Sequence, residues 1–248
     1  MVLAVIPARY ASTRFPGKPL VKLGGKSMIQ RVYERVLAGT QVQSTVVATD
    51  DKRILDHVHA FGGEAVMTSP EHSSGTDRVA EVAARYRAAS IVVNVQGDEP
   101  FIDPRQIDQV VQSFADASVD IATLAHRIDD EQKLLTPSVV KVVRNARGRA
   151  LYFSRHAIPY LRDVPVGRWL ERSRHLQHLG LYAYRAEALQ HISQLPMGRL
   201  EADESLEQLR WLEAGLSIQV ELTSHAAFGV DTPADVQLAE QLIRANGW

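Results

Sequence analysis

The chain contains no cysteine. That excludes disulfides, thiolate metal sites and a cysteine nucleophile, and it accords with a reducing compartment. There is no excess of positive charge either: 28 Lys and Arg stand against 29 Asp and Glu, for a formal net charge of -1. A general nucleic-acid binder carries a basic face, so that class is set aside. No apolar run approaches bilayer length, and the amino terminus lacks a basic segment followed by a long apolar one. The expectation is a cytoplasmic protein without membrane insertion. Two familiar phosphate motifs are also missing. Gly25-Lys26-Ser27 imitates the end of a P-loop, but Leu20 stands where the first glycine belongs. Gly17-Lys18 fails too, because Ser12 occupies that place and Pro19 follows the lysine. No Gly-x-Gly-x-x-Gly follows the first strand, so the usual dinucleotide fold is unsupported.

What is present is an ordinary globular composition, 45% hydrophobic and 23% charged over 248 residues, enough to bury a sizeable core. Short apolar runs alternate with helical patterns. Val2–Ile6, Thr45–Thr49, Ala65–Thr68 and Ile91–Val95 read as strands, and 27–37, 51–61 and 76–86 as helices. β-branched strands separated by helices indicate a doubly wound, mostly parallel α/β sheet covered on both faces. In the second half, 120–125, 139–143, 150–154, 176–184 and 217–222 read as strands, and 205–214 and 234–245 as helices. The middle segment reads as an inserted antiparallel lobe on the same sheet within a single domain.

Three cations and two hydroxyls, Arg9, Ser12, Thr13, Arg14 and Lys18, follow the first strand. In open α/β sheets ligands bind outside the carboxyl ends of strands, and Arg and Lys there can neutralise phosphate oxygens. Asp98 follows the fourth strand and Asp231 precedes the last helix. Either alone reads more simply as a turn former or helix cap. Together with the cationic loop they make a coherent site for Mg²⁺ and a triphosphate, since Mg²⁺ needs only one or two carboxylates besides substrate phosphates.

Six blocks then resemble one family in order along the chain. They are 7–20 (PARYASTRFPGKPL), 92–100 (VVNVQGDEP), 150–155 (ALYFSR), 178–182 (HLGLY), 206–210 (LEQLR) and 229–233 (GVDTP). The family is that of the 3-deoxy-manno-octulosonate (Kdo) cytidylyltransferases, or CMP-Kdo synthetases. The resemblance implies a sheet of the nucleotide-diphospho-sugar transferase type, and transfer of CMP from CTP to Kdo with release of pyrophosphate, for lipopolysaccharide core synthesis. It also implies Mg²⁺ dependence and a cytoplasmic homodimer. About 1–115 would be the nucleotide-binding half, 116–225 a sugar-binding and dimerisation lobe, and 226–248 the metal-binding turn and last helix.

By the same resemblance Arg9, Arg14 and Lys18 cradle the triphosphate, with Ala8, Ser12 and Thr13 beside it, and Asp98 and Asp231 hold the metal. Ser74 and Arg78 match the segment near the cytosine; read alone, they are a helix cap and a surface arginine. Arg155 matches the sugar-binding arginine, and Gln96, His178, Tyr182, Glu207 and Gln208 suit a polyol. Taken singly, Glu207 and Gln208 would be helix-surface residues, His178 a satisfied strand histidine and Tyr182 a core aromatic. The chain departs from the commonest family pattern at Phe15, where Leu is usual, and at Ser27, where Pro is usual. At Gln177, where Arg is frequent, a charge is lost beside the sugar residues. Activation of 8-amino-8-deoxy-Kdo or of another acidic sugar such as sialic acid therefore stays open, as does a non-catalytic CTP-binding protein.

Overall fold

The computed structural model describes residues 1–11, 15–225 and 228–246. By internal contacts the chain divides into two compact units, residues 1–111 with 227–248, and residues 112–226. Both are α/β.

The first unit is built on four parallel strands, β1 (Val2–Ala8), β4 (Ser44–Thr49), β5 (Ala65–Met67) and β6 (Ile91–Asn94), in the order β5-β4-β1-β6. Leu3 to Ile6 are wholly buried, as expected of a strand covered on both faces. A short antiparallel hairpin, β2 (Lys22–Leu23) with β3 (Lys26–Ser27), precedes α1 (Met28–Leu37). Ser27 caps α1, its hydroxyl accepting from Gln30 N at 3.2 Å, so the departure from the family's Pro is a change of helix start. Helices α2 (Lys52–Ala60) and α3 (Gly75–Arg85) complete the crossovers, and α4 (Pro104–Gln112), which the sequence patterns did not reveal, follows β6. The chain moves outward from β1 through β4 to β5, then returns to the other side of β1 as β6. That reversal is a topological switch point, and it opens a crevice at the carboxyl ends of β1 and β6.

The second unit contains β7 (Ile121–Arg127), α5 (Glu131–Leu135), β8 (Lys141–Arg144), β9 (Ala150–Ser154), α6 (Trp169–Arg172), β10 (Leu176–Arg185), α7 (Ala186–Ile192), α8 (Arg199–Glu204), α9 (Gln208–Glu213) and β11 (Ile218–Thr223). Antiparallel β10 pairs with β7, and β11 runs parallel to β7 on its other side. The antiparallel β8–β9 pair joins β10 through Lys141. One expectation is corrected here. The helix read over 205–214 begins later, at Gln208 as α9: Ser205 takes the left-handed conformation at φ 51° and ends the preceding α8 at Glu204. Two salt bridges from Arg210, to Glu201 at 3.0 Å and Glu207 at 2.9 Å, hold the two short helices against that turn.

The chain then returns to the first unit as α10 (Pro233–Asn246). Ala239 and Ile243 pack with Leu23, Met28 and Val230, the four larger side chains each contributing about 1.5–3 kcal/mol. Gly24 N donates to Glu240 at 2.7 Å. This packing fixes the turn that carries Asp231.

Candidate functional site

The switch point of the first unit gathers the charged residues. Ala8, 3% exposed, ends β1. Beyond it Gly17 N donates to Tyr10 O at 2.9 Å. Gly17 has φ 72°, a conformation that favours glycine, and a Cβ there would sit in tight contact, 3.2 Å from the Tyr10 ring. Lys18 begins the short 3-10 turn that follows. After β6, Gly97 passes so close to β1 that a Cβ would lie 2.8 Å from Pro7 O. Val230 N donates to Asp98 O at 2.9 Å, which draws the 229–231 turn beside the 97–99 turn.

Lys18 Nζ lies 2.6 Å from Asp98 Oδ2 and 3.1 Å from Asp231 Oδ1. Residues far apart in sequence thus meet around one cation. Burial alone would lower the Lys18 pKa, but the charges and hydrogen bonds of Asp98 and Asp231 raise it above the usual lysine value. Negative charge still exceeds what Lys18 offsets. Burial, with the charges of Asp98 and Asp231, pushes the neighbouring Glu99 carboxyl up to about 7. Glu99 was not singled out from sequence, although it adjoins Asp98 in the same motif. Asp235 shapes the other flank, accepting from Asp231 N at 3.0 Å and Thr232 N at 2.8 Å. Those bonds outweigh its burial and hold its pKa low.

Two carboxylates converging on one ammonium nitrogen suit a small divalent ion. Among the described residues no group of three or more potential protein ligands forms. The protein therefore offers two carboxylates, a donor set suited to Mg²⁺ completed by phosphate oxygens and water.

Arg9 sits beside this cluster's strand but turns to α3, its guanidinium donating to the carbonyls of His72 and Ser74. Ser74 caps α3 in a reciprocal capping box with Asp77. Gln96 lies between β6 and Asp98 and is half-buried. Ser12, Thr13 and Arg14 lie outside the described residues. Arg78 corrects the reading of it as an exposed surface arginine. It is fully buried, with its guanidinium bonded to Thr68 and to Asp50 at 2.8 Å. In this position it ties α3 to the ends of the strand layer.

The second unit gathers the other set. On β10, His178 and Tyr182 lie with ring centroids 5.3 Å apart, the residues between them forming an irregularity in the β7 pairing. Phe153 meets His178 edge-on at 5.0 Å and Trp211 meets Tyr182 at 5.2 Å. His178 Nε2 lies 3.1 Å from Thr123 Oγ1. Burial lowers the His178 pKa to about 3, so the ring is neutral at physiological pH. Burial raises the Tyr182 pKa well above its usual value, aided by Tyr184 and Glu207. Among the described residues the buried Tyr182 hydroxyl and the Trp211 indole N–H find no hydrogen-bond acceptor. Thr123 and Trp211 were missed because neither belongs to a recognisable motif; only the fold brings them to His178 and Tyr182.

The Arg155 guanidinium donates to the carbonyls of Glu204 at 2.6 Å, Ser205 at 3.0 Å and Pro137 at 3.2 Å. It caps the end of α8 and holds the turn leading to Glu207 and Gln208. Gln208 is buried rather than on a helix surface, and Glu207 pairs with Arg210 at 2.9 Å.

Residues 3–218 match the family model described as Cytidylyltransferase. A 3-deoxy-manno-octulosonate cytidylyltransferase of Parabacteroides distasonis is 52% identical over 242 residues, covering 96% of both chains. One of Porphyromonas gingivalis is 49% identical over 250 residues, covering 99% of this chain and 98% of its own. Among solved structures, a CMP:2-keto-3-deoxy-manno-octonic acid synthetase complexed with CTP is similar at TM-score 0.92 and 47% identity, covering 99% of each chain. The 4-diphosphocytidyl-2C-methyl-D-erythritol synthase of Anaerococcus prevotii, at TM-score 0.64 and 11% identity over 98% of each chain, shares the fold. With most of its length matched by the family model and near-full-length relatives at about half identity, the chain belongs to the cytidylyltransferase family, among the 3-deoxy-manno-octulosonate cytidylyltransferases.

Proposed function

We propose that this enzyme transfers CMP from CTP to Kdo, giving CMP-Kdo and pyrophosphate for lipopolysaccharide core synthesis. The observation that carries this reading is the meeting of Asp98 and Asp231 on Lys18 at the switch point, in a chain of this family. The anomeric hydroxyl oxygen of Kdo forms a bond to the α-phosphorus of CTP while the bond to pyrophosphate breaks in line. Positioning and charge neutralisation do most of the work in such transfers. Lys18 and Arg9 neutralise phosphate oxygens and the departing pyrophosphate, with Ser12, Thr13 and Arg14 as further members of the loop and Ala8 at its start. Asp98 and Asp231 would hold Mg²⁺, which when bound supplies Lewis-acid stabilisation of phosphate charge. Ser74 borders the cytosine subsite, where Arg78 acts by holding α3 in place.

Sugar selection falls to Gln96, His178, Tyr182, Glu207 and Gln208. The neutral His178 and the acceptor-less Tyr182 hydroxyl suit the uncharged oxygens of a polyol, and Arg155 positions the 205–208 turn. Among the described residues no helix is long and apolar enough to cross a membrane; a cytoplasmic homodimer is the assembly that the family resemblance supports, and sedimentation equilibrium tests it. The reaction is tested by pyrophosphate release from CTP with Mg²⁺, comparing Kdo, 8-amino-8-deoxy-Kdo and sialic acid. Release dependent on Kdo is expected. Nucleotide binding with no release on any sugar would instead describe a CTP-binding protein, and a stronger response to either competitor sugar would reassign the substrate.

A further inference from the structure

The second unit holds a cavity of about 490 Å³ whose lining includes Arg127, Arg144 and Arg174 with Leu176, Leu222 and Thr223. None of these residues takes part in the site described above. The fold builds the cavity from strand ends. Arg127 closes β7 and stands opposite Leu176, the first residue of β10. Thr223 closes β11 beside His126 of β7. Arg144 closes β8, and its Nη1 donates to Val220 O of β11 at 2.7 Å, which fixes that guanidinium at the rim.

Three arginines lining one cavity are notable in a chain of formal net charge -1. Among the described residues no carboxylate forms an ion pair with Arg127, Arg144 or Arg174. The acids on the neighbouring segments are otherwise engaged: Asp129, which shares a second cavity with Arg127, lies 3.8 Å from Lys133, and Glu221 accepts from Gln219 at 2.8 Å. Like charges in one concave space repel unless an anion joins them. Guanidinium forks match phosphate oxygens in bidentate fashion. Leu176 is buried and Leu222 is 45% exposed, so the same cavity presents apolar surface beside its charge. Its volume lies in the range of small-molecule sites.

We propose that this cavity binds a small phosphate monoester bearing an apolar group, at a site separate from the nucleotide cradle. The guanidiniums of Arg127 and Arg174 meet the phosphate, Arg144 supplies fixed positive charge behind it, and Leu176 and Leu222 take the apolar part.

The test uses the full-length protein with methyl-labelled leucines, titrated with phenyl phosphate while the Leu176 and Leu222 resonances are followed. A saturable shift of both is expected, with weaker binding of inorganic phosphate and no shift from benzyl alcohol. Arg127→Gln with Arg174→Gln, both exposed and outside the core, should weaken phenyl phosphate binding about tenfold or more with an unchanged melting temperature. Replacement of both by Lys should recover part of the affinity, because charge returns without the fork. The proposal is overturned if sodium chloride at equal ionic strength reproduces the shift or if the double Gln variant binds as well as wild type. It also fails if neither leucine responds, as for a solvated surface or one covered by a second copy of the chain.

Discussion

The first unit assembles a site from charge, and the second assembles one from neutral polar groups among aromatic rings. Around Lys18 the side chains are partly exposed, ionised and carried on turns that glycines let approach a strand end. Around Tyr182 they are buried, and His178 is kept neutral. The contrast matches the two tasks that the proposed function divides between the units. Phosphate chemistry needs charge to neutralise charge, whereas choosing one polyol requires fixed donors and acceptors whose mismatch is costly.

The strongest way to break this comparison is to remove charge from the first unit. Asp98→Asn or Asp231→Asn should lower kcat about 100- to 1,000-fold, with an unchanged circular dichroism spectrum. Turnover near wild type would remove that aspartate from the site. Arg78→Met should act on folding instead, lowering stability by about 3 kcal/mol because Asp50 loses its buried partner. Urea denaturation measures this; an unchanged midpoint accompanied by loss of CTP binding would restore Arg78 as a base reader. In the second unit, Tyr182→Phe should raise KM for Kdo about tenfold while leaving the KM for CTP near wild type. A change confined to CTP would erase the division between the units.

The last expected effect, confined to acid, is a pH dependence. The unfolded imidazole of His178 titrates near 6.5, and the folded one only near 3. Between those values the unfolded state binds the extra proton, so this residue makes stability fall as pH drops from about 6.5 toward 3. Above 6.5 it has no such effect. Subtracting the denaturation profile of His178→Asn should expose that slope, and parallel profiles would show that the folded ring titrates normally.

The first unit was legible in the sequence because parallel strands buried on both faces read as uninterrupted apolar runs, as Leu3 to Ile6 do. Its site was legible because Lys18, Asp98 and Asp231 each stand at the end or start of an element, where topology could gather them. Other features depend on contacts that no local pattern carries. Arg78 looked like an exposed residue on a capped helix; Asp50 and Thr68 draw it inside. The carbonyls of Glu204 and Ser205 become available to Arg155 because Ser205 ends α8, and the helix read from 205 begins only at Gln208. Serine gives no sequence signal for a left-handed conformation.

The claim that one unit works by charge through a divalent ion is tested most directly by titrating Mn²⁺, as a paramagnetic substitute for Mg²⁺, into the protein with CTP. Electron paramagnetic resonance then reads the free ion in wild type and in the Asp98→Asn, Asp231→Asn double variant. Removal of both carboxylates should weaken Mn²⁺ binding at least about tenfold while CTP still binds. Equal Mn²⁺ affinity in the two proteins would contradict the account.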